Sequence, residues 1–302
     1  MWKYLLPAML ACYAPGAMAL ECAGFGAGGE LPGLDNPRLQ PRTTLLCNDG
    51  YASLNSGLAH EPLWSAEHLT RQGLEDAEGL GRVTKTFHED LRLPIADRGE
   101  LSDYRGSGYD RGHMTPSGDA VDATAQEETF SLANVVPQTA ALNEGIWTGV
   151  EMAVRRLARE NGDVFVVTGP AFSGPTRAIG DDNVLVPTST WKAVFVPATN
   201  GAAAYVCKNT DEPTCVTVSV AELTRATGVD PFPALSDAVK ETAMPLPQPE
   251  ASPYRPRQAA RHYAERDGGS AGSEYIDRRV LAQTARAGWQ VLNKMAQKWE
   301  QN

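Results

Sequence analysis

Cys207 and Cys215 bracket the stretch KNTDEPT, and no other feature limits the fold of this chain so tightly. Strand-like runs at 203–207 and 214–218 flank that turn-like stretch, so a disulfide between the two cysteines closes a hairpin. Cys22 and Cys47 are then left to pair with each other, one of the three connectivities open to four cysteines. The fifth, Cys12, lies in MWKYLLPAMLACYAPGAMA, where Lys3, an apolar middle and Ala17-Met18-Ala19 make the pattern of a secretory signal cleaved after Ala19. An even cysteine count in the mature chain suits an oxidising compartment, so a periplasmic or secreted destination is expected. A lipid anchor on Cys12 is the weaker alternative, because the apolar run before it is short. Nothing later is apolar for long enough to cross a bilayer, and no stable membrane anchor is expected.

The remaining chain reads as α+β. Residues 20–60 look like loops, rich in Gly, Pro and Asn. Trp64 to His68 belongs to an early strand, followed by an irregular charged region to Asp103. Asp122 to Leu132 reads as a short helix. Asn143 opens a longer one whose Ile146, Trp147, Val150 and Leu157 form an apolar face. DVFVVT (163–168) is a buried strand ended by Gly169-Pro170, and residues 191–197 give another. Ser219-Val-Ala-Glu222 is a capping box opening a helix. The Pro-rich MPLPQPEASPYRP reads as a linker. Beyond it Leu281, Ala285, Gly288, Leu292, Met295 and Trp299 recur at helical spacing. The expected organisation is a signal peptide (1–19), a main domain (20–243), a linker (244–256) and a helical C-terminal extension (257–302).

Chemistry concentrates in SGYDRGHM (107–114), where an acid, a guanidinium and an imidazole crowd between glycines and offer little to a core. Downstream stand Asn134 in SLANVVPQ, then Asn143 and Glu151 in LNEGIWTGVE. No Cys/His spacing suits zinc, and neither a G-x-S-x-G elbow nor a P-loop is present. A histidine base with a carboxamide and a carboxylate suits a hard, oxygen-seeking cation and a water nucleophile. Arg111 can offset negative charge building on an attacked phosphate. An unshifted imidazole would make activity fall as pH drops below about 6.5. On one regular helix Asn143 and Glu151 would lie about 12 Å apart along the axis. One would then bind the ion directly and the other through water, and Asn143, beside the preceding loop, is the better direct ligand.

Charge does not oppose a nucleic-acid partner. The net is −10, yet 82–111 is balanced at six cations against six anions, and the chain from Ser252 onward carries +4. Arg82 and Arg105 are candidates for substrate contact.

SGYDRGHMTPSGD followed by NVVPQTAALNEGIWTGVE resembles the DNA/RNA non-specific endonucleases of the ββα-metal superfamily, over about Trp64 to Gly228. The resemblance implies a central antiparallel sheet flanked by helices and a metal-dependent endonuclease that cuts DNA and RNA to 5′-phosphates. It implies that His113 is the general base, Asn143 the direct ligand of Mg²⁺ and Glu151 a ligand through water, with Mn²⁺ tolerated. Arg111 and Asn134 match supporting active-site positions, and Arg82 is the best match to an upstream catalytic arginine. Two other readings remain open: a nuclease toxin delivered to competitors, or an inactive nucleic-acid-binding module.

Overall fold

Side chains that alternate along long strands build a core on each face of one sheet. The computed structural model describes residues 22–83 and 86–250. The expected signal peptide and the C-terminal helix lie outside those residues. The sheet contains β1 (Thr43–Cys47), β2 (Ala52–Ser56) and β3 (Glu61–Thr70). A separate ribbon pairs β4 (Asp110–His113) with β5 (Val135–Gln138). The sheet is completed by β6 (Asp163–Ala171), β7 (Ser189–Val196), β8 (Gly201–Lys208) and β9 (Cys215–Val218). Its order is β9-β8-β7-β6-β3-β2-β1, antiparallel throughout.

Four helices shape the core and the site: α1 (Arg71–Leu80), α2 (Ala123–Thr129), α3 (Trp147–Asn161) and α4 (Val220–Thr227). In β6, Val164 and Val166 join Trp147, Val150, Val154 and Leu157 of α3 in one core. Their neighbour Val167 packs instead with Trp64, Trp191 and Phe195, beneath Val220 and Leu223 of α4. This two-residue alternation is what an antiparallel sheet covered on both faces demands. Among the described residues no helix is long and apolar enough to cross a membrane.

Several sequence expectations are met. Cys207 and Cys215 are directly opposed on β8 and β9 and joined by a disulfide, and Cys22 is bonded to Cys47. The capping box is formed in both directions, Ser219 Oγ accepting from the Glu222 amide and the Glu222 carboxylate from the Ser219 amide. Asp122 caps α2.

Others are corrected. The charged region after His68 contains α1, whose buried face is only Leu74 and Ala77 and whose start is capped by Thr70. With so short an apolar stripe and glycines at 73 and 79, it carries little helical signal. Gly169-Pro170 does not end β6, which runs on to Ala171, where the Pro170 carbonyl accepts from Trp191 Nε1 at 2.9 Å. The helix expected to open at Asn143 begins instead with a π-turn, Leu142–Ile146, with Gly145 off the helical region at φ −102°, ψ −116°. The regular-helix separation of Asn143 from Glu151 therefore does not apply. Residues 244–250, expected to begin a free linker, lie against the domain. Met244 N donates to Ala202 O at 3.0 Å, Tyr205 OH donates to Pro247 O at 2.6 Å, and Leu246 is buried in the core under α3. This strap crosses α3 at Gly149, where a Cβ would lie 2.1 Å from the Glu250 carbonyl oxygen.

Candidate active site

The β4–β5 ribbon, the π-turn and α3 make a strand–strand–helix unit beside the sheet. In its register Asp110 faces Gln138 and His113 faces Val135. Only glycine fits between them at 112, since a Cβ there would sit 2.0 Å from Gln138 Oε1. The ribbon and α3 line an open cleft of about 1200 Å³. Lining it are His113, Arg111, Arg82, Arg105, Asn143 and Glu151, so the structure gathers residues that the sequence spreads over seventy positions.

His113 is half-buried between two aromatic rings, Phe130 edge-on at 4.9 Å and Phe87 tilted at 5.1 Å. Its Nε2 is buried and meets no hydrogen-bond partner among the described residues. Burial, then the positive charges of Arg82 and Arg111, lower its pKa to about 3. With that shift the imidazole is neutral well below the ordinary 6.5, and the acid limb expected of an unshifted ring does not apply. Arg111 stacks its guanidinium 4.4 Å from the centre of Phe87. Arg82, just past α1, lies 5.7 Å from the centre of Phe130 and donates to Ser117 Oγ at 2.8 Å. The two rings that desolvate the base also carry the two cations beside it.

Asn143 donates through Nδ2 to Asp110 Oδ2 at 3.0 Å, which leaves its Oδ1 as the free acceptor. Glu151, one face of α3 further on, is half-buried, and burial raises its carboxyl pKa against the opposing pull of Arg155 and Lys192. Among the described residues no three His, Cys, Asp or Glu side chains cluster as metal ligands. One amide oxygen and one carboxylate on a shared cleft nevertheless fit a hard divalent cation that keeps most of its water.

Asn134 is placed differently. It is fully buried and does not line the cleft. Its Oδ1 accepts from Ser65 Oγ and Thr115 N, each at 3.0 Å, and its Nδ2 donates to Thr115 O at 2.8 Å and Thr129 O at 2.9 Å. It supports the backbone behind His113 and is not free to touch substrate.

The family model for DNA/RNA non-specific endonucleases matches residues 36–238. The chain belongs to that family. Nuclease C1 of Cunninghamella echinulata var. echinulata is 39% identical over 154 residues, 47% of this chain and 61% of that protein. Mitochondrial endonuclease G of Bos taurus is 34% identical over 212 residues, 65% of this chain and 68% of that protein. The EndoG chain of a solved EndoG/EndoGI complex superposes with a TM-score of 0.63 at 25% identity, covering 78% of this chain and 97% of that one. The chain therefore spans less than two thirds of the Cunninghamella protein. The mixed fold, a large antiparallel sheet flanked by helices, is that of the ββα-metal nucleases.

Every cleft residue of this endonuclease-family chain falls inside the matched region, whereas the strap at 244–250 lies beyond it. Sequence reasoning missed Arg155, which donates to Asp119 and lines the cleft one helical turn after Glu151. The i, i+4 spacing from Glu151 was a signal that could have found it. Phe87, Phe130 and Lys192 carried no such signal, since their partners are distant in sequence.

Proposed function

We propose that this chain is an exported endonuclease that hydrolyses phosphodiester bonds of DNA and RNA and leaves 5′-phosphates. The observation that carries the reading is a histidine packed between Phe87 and Phe130, with Arg82 and Arg111 on those same rings, in the cleft that also holds Asn143 and Glu151. Arg82 and Arg111 bind the phosphate and oppose the charge that builds on it as water attacks. His113, uncharged before the reaction, takes the proton of that water. Phe87 and Phe130 exclude bulk water from the imidazole, and Asp110 orients the Asn143 amide. Asn143 Oδ1 would hold Mg²⁺ directly and Glu151 would hold it through water, with Mn²⁺ tolerated. Such a cation supplies charge stabilisation for the departing 3′-oxygen. Loss of the 3′-oxygen leaves the phosphate on the 5′ side, which is why 5′-phosphate ends are expected. The signal-like N-terminus and two disulfides support export.

The test is incubation of the purified protein with circular plasmid and with RNA, in Mg²⁺ and in EDTA, followed by end-labelling of the products. Internal cleavage of both polymers, abolished by EDTA, is expected. Binding without cleavage in Mg²⁺ would overturn the reading in favour of an inactive binding module.

A further inference from the structure

We propose that Lys192 is a positioning residue for His113, its buried ammonium fixing the peptide segment that follows the imidazole. The inference rests on the reading of His113 as the base. On the sheet face that α3 covers, the strands change character along their length. Val164, Val166, Val194 and Val196 lie under the helix, whereas Ser65, Glu67, Thr168, Thr190 and Lys192 make a buried polar floor beneath the ribbon.

That floor grips the chain on the far side of His113. Lys192, 1% exposed, donates to Met114 O at 3.2 Å and to Thr168 Oγ1 at 2.6 Å. Met114 N donates to Asn134 O at 2.9 Å, so both backbone polar groups of the residue after His113 are held. Ser65 Oγ bonds Thr115 Oγ1 at 2.8 Å and extends the grip by a residue. Glu67, also buried, stands 3.8 Å from the ammonium, where burial and Asp119 push its carboxyl pKa up and Lys192 pulls it down.

An ammonium is an expensive way to hold a core together. Buried ion pairs are commonly replaceable by neutral groups of similar size with no loss of stability. A donor on a long, straight arm is the feature a hydrophobic residue would lack, and the carbonyl it reaches belongs to the residue next to the base. Displacing a reacting group by about 1 Å can cost on the order of 100-fold in rate.

The test compares the full-length wild type with Glu67→Gln/Lys192→Met, which removes the ammonium and the carboxyl beside it together. We expect an unchanged melting temperature, kcat on DNA lower by about 10- to 100-fold, KM within about twofold, and a moved His113 imidazole NMR resonance in the substrate-free protein. If the double variant melts early, Thr168→Val takes its place, keeping Lys192 and Glu67 while removing the hydroxyl that aims the ammonium. The same split of kcat from KM, in smaller measure, supports the proposal. A folded variant with wild-type kcat and an unmoved His113 resonance overturns it. A wild-type protein without nuclease activity would sink the proposed function alone, because the resonance still reports whether Lys192 sets the ring.

Discussion

At the scale of residues, an imidazole boxed by Phe87 and Phe130 and faced by two guanidinium groups has every electrostatic reason to stay uncharged. Folding lowers its pKa, so the neutral, proton-accepting form persists as pH falls through 6.5 and is lost only near 3. We therefore expect kcat/KM, measured from pH 8 down to pH 5, to show no one-proton loss centred at 6.5. Such a loss would mean that the ring is far less desolvated than its neighbours imply. The two acceptors across the cleft should fail differently. Asn143→Ala removes the only amide oxygen that Asp110 aims, and divalent-ion affinity and rate should collapse together. Glu151→Gln keeps a polar group but removes a charge, and should weaken the ion's binding by about 10- to 100-fold, with partial rescue at high Mg²⁺. Rescue of Asn143→Ala alone in Mg²⁺ titrations would reverse the two assignments. His113 and Arg111 were legible because SGYDRGHM offers little to a core, and Asn143 and Glu151 through the family resemblance of the second block, whose Trp147 and Val150 are core. Asn134 was legible as important but not in its role, since only the fold shows its four hydrogen bonds turned inward.

At the scale of elements, α3 is the part on which both the core and Glu151 depend, and its first half is held from two sides. The π-turn before it re-aims Asn143, and the 244–250 strap crosses it at Gly149. Arg156 on the same helix pairs with Glu250 of the strap at 2.7 Å. A chain ended after Ala243 should be less stable than one ended after Glu250 by about 2 kcal/mol, the scale of the buried Leu246 side chain alone. Denaturant unfolding of both truncations checks this, and equal stability would show that the strap only rests on the helix. The disulfides and the strands β3 and β6 to β9 were readable, because cysteine spacing and apolar runs are local signals. By contrast β1 and β2 lie in the Gly-, Pro- and Asn-rich stretch read as loops, and the β4–β5 ribbon gave no strand signal. The π-turn, α1 and the docked strap were not readable either. Gly145 breaks a helix that the apolar spacing continues, α1 buries too little to show a stripe, and a proline-rich segment gives no hint of the surface it will lie on.

At the scale of the molecule, a chain of net charge −10 presents four arginines, Arg82, Arg105, Arg111 and the Asp119-paired Arg155, to one cleft. Attraction to a polyanion is thus local, and affinity should fall as salt rises, with Arg82→Ala reducing the slope of log affinity against log salt by about 1. A slope unchanged in that variant would place Arg82 off the substrate path. The cleft joins pieces from the ribbon, α3 and the segment after α1, and its chemistry converges on one ring. The most direct measurement is plasmid cleavage by His113→Ala beside the wild type, with the melting temperature of each. A folded His113→Ala protein whose kcat is lower by at least ~100-fold is the expected result; a folded His113→Ala protein that cuts at the wild-type rate would contradict the assignment of His113 as the base.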